Sequence, residues 1–194
     1  MADSLPEHGL ILVSGPSRGG KSAWAEHLAQ RWRGTVVYLA TGPDGNTDPS
    51  WRERVVQHQQ RRPGGWRVVE VGAELVEQLF EMASDHQDSA PAQLLLIDSL
   101  GTWLAWHLDD TGERWRQRCA ELVSALQQQP GPVVMVVEET GWGVVPPTAV
   151  GGRFRDRLGA LQQLLMEHCQ SAWLVVAGRA LNLIELGHAV PPVS

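Results

Sequence analysis

A chain of 194 residues, 43% hydrophobic and 20% charged, has enough material for one ordinary domain with a real core and too little for two. Its formal charge of −6 gives no general attraction to nucleic acid or to an anionic membrane, so a phosphate site has to be built locally from a few arginines and backbone N–H groups. No run of about 18 apolar residues could cross a bilayer, the opening MADSLPEHGL lacks the basic start and apolar stretch of a signal peptide, and Cys119 and Cys169 offer neither zinc spacing nor a disulfide framework, so a reducing cytoplasm is expected.

Leu10 to Val13 is a short apolar run that stops at a glycine-rich turn, which predicts a buried strand. The turn, Gly15-Pro16-Ser17-Arg18-Gly19-Gly20-Lys21-Ser22, matches GxxxxGK[ST] in full. Glycines let successive N–H groups point at phosphates, and the helix that follows adds its positive N-terminal end. Lys21 is expected to reach the β- and γ-phosphates and the Ser22 hydroxyl to hold Mg²⁺. Lys21 is the only lysine in a chain that otherwise uses arginine, whose planar fork is a poor substitute for the compact ammonium at this point.

A helix is predicted over Lys21 to Arg33, a strand over Val36 to Ala40 and a loop over Thr41 to Thr47. Asp48-Pro49 looks like an N-cap followed by proline at the first helical position, so a helix should run from about Pro49 to Arg61 and stop at Pro63-Gly64-Gly65. On it Arg54, His58, Arg61 and Arg62 share one face by spacing. Three arginines around an imidazole suit a triphosphate and would keep the histidine neutral and nucleophilic near neutral pH. The same spacing also describes a solvated basic face with a spectator histidine.

Further along, a strand is predicted over Arg67 to Val71, a helix over Ala73 to Ser84 and a loop over Asp85 to Ala92. Leu94 to Ile97 is apolar throughout, as a strand buried on both faces would be, and ends on Asp98. Asp98 stands where a phosphate-loop enzyme places its metal-associated acid, and it could equally cap the next helix. Ser99 to Leu108 and Arg114 to Gln129 read as helices, and Val133 to Val137 as a second buried strand ending on Glu138-Glu139, of which at most one carboxylate can face a site. A Gly/Pro-rich loop over Gly141 to Gly152, a helix from about Phe154 to Gln170 and a last strand over Ala172 to Ala177 complete the chain. Trp24, Trp32, Trp103 and Trp173 fall in apolar or helical patterns and are assigned to packing. Strands and helices alternate, which predicts one α/β domain over residues 1–194 with a mainly parallel sheet, helices on both faces and ligands beyond the carboxyl ends of the strands.

Taken together these motifs resemble one family, the bifunctional adenosylcobinamide kinase / adenosylcobinamide-phosphate guanylyltransferase of cobalamin synthesis. The resemblance runs from about Gly9 to Leu183 and rests on the phosphate loop with Arg18, the segment Tyr38-Leu39-Ala40-Thr41, the acid-ended strand at Asp98, the loop Glu139 to Pro146 and Phe154-Arg155-Asp156. Its most discriminating part is Arg54-Val55-Val56-Gln57-His58-Gln59-Gln60-Arg61-Arg62-Pro63-Gly64-Gly65-Trp66, which generic phosphate-loop kinases lack. The chain departs from the family pattern at Pro16 and Gly19 and at Glu138, where asparagine or serine is common.

The resemblance implies a RecA-like phosphate-loop domain and two reactions. One phosphorylates adenosylcobinamide with a nucleoside triphosphate, GTP or ATP, together with Mg²⁺. The other moves GMP from GTP to the product through a GMP-histidine at the position of His58. It also implies that Gly15 to Ser22, Ala40, Thr41, Gln59, Gln60, Arg61, Arg62, Glu70 and Asp98 contact the nucleotide, with Ser22 and Asp98 at the metal. The partner it implies is the small-molecule corrinoid, with no nucleic acid and no membrane span, and family members form homo-oligomers that can be trimers. A kinase without guanylylation, or a silent GTP-binding subunit, would share the phosphate loop.

Overall fold

A computed structural model describes residues 5–43, 53, 56, 62–86, 91–142 and 148–191. In chain order the elements are β1 (Gly9–Gly15), α1 (Lys21–Ala29), β2 (Val36–Ala40), β3 (Arg67–Glu70), a 3₁₀ turn (Gly72–Glu74), α2 (Leu75–Ser84), β4 (Leu94–Asp98), α3 (Leu100–Trp106), α4 (Gly112–Gln127), β5 (Pro132–Glu138), α5 (Ala149–Met166), β6 (Cys169–Val176), β7 (Arg179–Asn182) and the single turn α6 (Leu183–Leu186). The seven strands form one sheet in the order β3-β2-β4-β5-β1-β6-β7. All pairings are parallel except β6 with β7. Of the predicted helix over 49–61, Glu53 and Val56 are described and both are helical; the remainder lies outside the described residues.

Helices cover both faces of the sheet, so its central strands bury both sets of side chains. Leu10 and Leu12 of β1, Leu95 and Ile97 of β4 and Met135 and Val137 of β5 pack with α2, α3, α4 and α5. Their neighbours Ile11, Val13, Leu94, Leu96, Val134 and Val136 pack on the other face with Ala25, Leu28 and Ala29 of α1. This is why the central strands read as unbroken apolar runs. Trp103 is fully buried in the first cluster, and Trp24, Trp32 and Trp173 pack against the second. Among the described residues no helix is long and apolar enough to cross a membrane.

Several boundaries differ from expectation. α1 stops at Ala29, not Arg33, because Arg31 and Trp32 make i−3 bonds to Leu28 and Ala29 that tighten the chain into a turn. α5 begins at Ala149, not Phe154: the Thr148 hydroxyl accepts the Gly151 N–H and starts the helix ahead of Gly151 and Gly152. It ends at Met166, and β6 already begins at Cys169. β7 was not anticipated. It turns back through Ala177 and Gly178, both with positive φ (50° and 71°), the backbone of a tight hairpin. Glycine announces such a turn, whereas alanine in the left-handed region does not.

Candidate active site

The expected ligand edge, the carboxyl ends of the parallel strands, collects almost every described candidate. Ladder register sets Glu70, Ala40 and Asp98 side by side at the ends of β3, β2 and β4, and sets Gly15 opposite Glu138 at the ends of β1 and β5. The phosphate loop leaves β1 at this edge. Arg18 (φ 59°) and Gly20 (φ 98°) take left-handed backbone, and Gly20 occupies the N-cap position of α1, so the first-turn N–H groups face outward past a residue with no side chain. Within the loop the Gly19 N–H donates to Pro16 O at 3.0 Å and Lys21 Nζ donates to the same oxygen at 3.4 Å. Ser17 and Arg18 are exposed, Pro16 and Ser22 half-buried.

Two glycines of the loop are required by packing. A Cβ on Gly15 would lie 2.3 Å from Val175 O, and one on Gly19 would lie 2.9 Å from the same oxygen. The loop therefore rests backbone-to-backbone on β6.

Thr41 is fully buried. Its Oγ1 donates to Ser99 O at 2.6 Å and accepts the Ser99 N–H at 2.8 Å, and its carbonyl accepts the Trp106 indole N–H at 2.9 Å. The side chain is spent on fixing the β4–α3 turn, and the Thr41 N–H donates to Asp98 O at 3.3 Å. Asp98 does not cap α3 either. Ser99 is the N-cap, and its N–H also donates to Thr102 Oγ1 at 3.2 Å. The Asp98 carboxylate is left at the strand end, where Oδ2 accepts the Tyr38 hydroxyl at 2.9 Å.

Successive strand residues point to opposite faces, which separates the two glutamates. Glu139 turns toward α5 and accepts the Gln162 amide at 2.7 Å. Glu138 reaches the start of α3, where Ser99 Oγ donates to Oε1 and the Gly101 N–H donates to Oε2 at 2.9 Å. Gly101 is the partner this contact demands, since a Cβ there would lie 2.3 Å from Oε2. Burial pushes the Glu138 carboxyl above its ordinary range; Asp98 adds to this, while Ser99, Lys21 and Gly101 oppose it.

A raised folded pKa means that Glu138 favours folding below the ordinary carboxylate range and loses that contribution as pH rises through its folded pKa. Glutamine can accept from Gly101 and donate to Ser99 Oγ without titrating. E138Q is therefore expected to gain in Tm relative to the parent as pH rises. Melting curves between about pH 5 and 8 check this; a difference that is flat or shrinks with pH contradicts it.

Arg62 is seated on an aromatic ring. Its guanidinium carbon sits 3.4 Å from the centroid of the Tyr38 ring, and Nε is buried. Arg54, His58, Gln59, Gln60 and Arg61 lie outside the described residues. Tyr38 itself escaped the sequence reading of site residues. The signal was there, for it is the chain's single tyrosine and sits in an otherwise aliphatic buried strand.

Mg²⁺ takes oxygen ligands and is usually held by one or two protein oxygens plus substrate phosphates. Among the described residues no group of three or more His, Cys, Asp or Glu could hold a metal unaided. Ser22, in the first turn of α1, and Asp98, on the sheet face that α1 covers, carry hard oxygens of the kind such a shared ion takes.

Residues 11–183 match the family model for cobinamide kinase / cobinamide phosphate guanyltransferase. The chain is 34% identical over 173 residues to the bifunctional adenosylcobalamin biosynthesis protein CobP of Pseudomonas aeruginosa, covering 89% of this chain and 95% of that protein. It is 33% identical over 188 residues to the bifunctional adenosylcobalamin biosynthesis protein CobU of Escherichia coli K12, covering 90% and 99%. Among solved structures, an ATPase from the type III secretion system of pathogenic bacteria superposes with a TM-score of 0.58 at 13% identity, over 94% of this chain and 59% of that one. A Pyrococcus horikoshii OT3 protein, PH0250, gives 0.58 at 8% identity, over 92% and 87%. These last two likenesses show the fold alone.

Proposed function

This chain belongs to the cobinamide kinase / cobinamide phosphate guanyltransferase family, and from that membership we propose that one triphosphate site serves both of its reactions. In the first, a hydroxyl oxygen of adenosylcobinamide attacks the γ-phosphorus of a nucleoside triphosphate, and the nucleoside diphosphate leaves. Lys21 neutralises charge on the β- and γ-phosphates while the loop N–H groups hold them in line. Ser22 and Asp98 are the residues that would hold Mg²⁺, which would supply neutralisation of negative charge on the phosphates.

In the second reaction a neutral His58 nitrogen attacks the α-phosphorus of GTP. The bond to the β-phosphate oxygen breaks, pyrophosphate leaves, and a GMP-histidine remains. A phosphate oxygen of adenosylcobinamide phosphate then attacks that phosphorus and the P–N bond breaks, giving adenosylcobinamide-GDP and returning the imidazole. Arginines of the same segment favour the neutral imidazole and bind phosphate.

The observation that carries this reading is the seat of Arg62. Stacked on Tyr38 beside Asp98, it ties the end of the histidine-bearing segment to the strand ends from which the phosphate loop departs. Three residues lie between it and His58, a reach of at most about 15 Å along the chain.

The test is incubation with GTP labelled in the α-phosphate. The expected result is an acid-labile, base-stable GMP adduct that is lost in His58→Ala, while phosphorylation of adenosylcobinamide continues. No adduct, or an adduct retained by His58→Ala, would defeat the GMP-histidine mechanism at this position.

A further inference from the structure

We infer that Tyr38 is a positioning residue with two working sides: its hydroxyl orients the Asp98 carboxylate, and its ring face seats the Arg62 guanidinium. The inference rests on the shared-site reading above and names the buried group that holds its two halves together.

Sheet geometry supplies the first side. Tyr38 pairs with Leu96 in the β2–β4 ladder, and both belong to the face that packs on α1. Asp98, two residues beyond Leu96, projects on that same face. It is the diagonal neighbour of Tyr38, within reach of an aromatic side chain and of little shorter than one. The phenol runs toward the carboxyl end of the strand and delivers its proton to Asp98 Oδ2 at 2.9 Å. That bond fixes one carboxylate oxygen, and with it the direction of the other. Tyr38 is 3% exposed, so its hydroxyl has this carboxylate as partner rather than bulk water.

The second side is the ring face. A guanidinium carbon 3.4 Å from the centroid is a close cation–π contact, and arginine's planar group can also stack on a ring as lysine's ammonium cannot. A leucine at position 38 would fill the core as well, yet would provide neither the donor nor the platform. If Tyr38 were packing alone, removing its hydroxyl would alter stability and nothing else.

Tyr38→Phe and Tyr38→Leu separate the two sides. In EDTA, the GTP Kd of Tyr38→Phe should stay within about twofold of the parent, while the Mg²⁺ concentration at the midpoint of metal-assisted GTP binding rises about tenfold, as befits losing a hydrogen bond to a charged group. Tyr38→Leu should show the same metal shift and, in addition, form the GMP adduct about tenfold more slowly than Tyr38→Phe. Arg62→Ala should reproduce that second loss in the parent and add little in the Tyr38→Leu background, and the Tm losses of the two substitutions should be less than additive.

A Tyr38→Phe midpoint equal to the parent's overturns the hydroxyl side, as does a parent whose GTP binding ignores Mg²⁺. Additive Tm losses overturn the ring side, and so does a Tyr38→Leu adduct rate equal to that of Tyr38→Phe. A parent that forms no adduct defeats the guanylylation reading instead; the Mg²⁺ midpoints and Tm couplings then still decide the role of Tyr38.

Discussion

Lys21→Ala is expected to lower kcat/KM for nucleotide-dependent phosphorylation about a thousandfold, the scale seen when a preorganised charge is removed from a transition state. Adduct formation from GTP should fall in parallel, because both reactions draw on the same bound triphosphate. The geometry explains why no neighbour substitutes. Lys21 Nζ lies 3.4 Å from Pro16 O inside the loop, and the loop is pressed on Val175 O with no space for even a methyl group at Gly15 or Gly19. The wider, planar guanidinium of Lys21→Arg cannot occupy that place, so arginine should restore little. Because Lys21 is half-buried in the first turn of α1, Tm should move by only a few degrees, which separates lost chemistry from lost fold. The chain offers a second route to the same conclusion. With a single lysine, an amine-acylating reagent has one side chain to modify besides the terminal amine, and GTP should protect it. Activity of Lys21→Ala within about tenfold of the parent would contradict a transition-state role for the ammonium.

Much of this site was legible because burial and glycine leave local marks. Strands β1, β4 and β5 are covered on both faces, so their apolar runs stand out, and the phosphate loop is contiguous in sequence. What the sequence hid depends on registers that no window of residues contains. Tyr38 meets Asp98 across 60 residues because β2 and β4 pair in one alignment. Glu138 reaches α3 because Gly101, 37 residues away, lacks a Cβ. Sequence pattern established that Glu138 and Glu139 must diverge; only the fold decides that Glu139 goes to Gln162. Thr41 shows the opposite case. Its place at the strand end is as expected, but its hydroxyl is committed to Ser99. Arg62 carries a contact that spacing could not show, its guanidinium on the Tyr38 ring 24 residues back in the sequence.

Gly15→Ala should lower stability sharply, and it separates two explanations of a phosphate-loop glycine. Gly15 has no positive φ, so conformational freedom does not require glycine there. The demand is steric: the added carbon would meet Val175 O at 2.3 Å and Val175 C at 3.3 Å. Both atoms belong to the backbone of β6, which is hydrogen-bonded to β1 and to β7 and cannot swing aside as a side chain would. Relief requires prising β1 from β6 at the origin of the loop. A cost of about 3 kcal/mol is expected, the upper part of the overpacking range. For a chain of this size that corresponds to a Tm lower by about 6 to 12 °C. Gly159→Ala is the control. It lies in the exposed part of α5, and its added carbon would have nothing within 4 Å. There alanine should stabilise by about 1 kcal/mol through helix propensity and a less entropic unfolded chain. The two variants carry the same chemical change and should move Tm in opposite directions. If Gly15→Ala melts within about 2 °C of the parent, the loop does not rest on β6 as described. Should it melt low but regain full nucleotide turnover when assayed well below its Tm, the contact with Val175 is structural only and the path of the loop N–H groups does not depend on it.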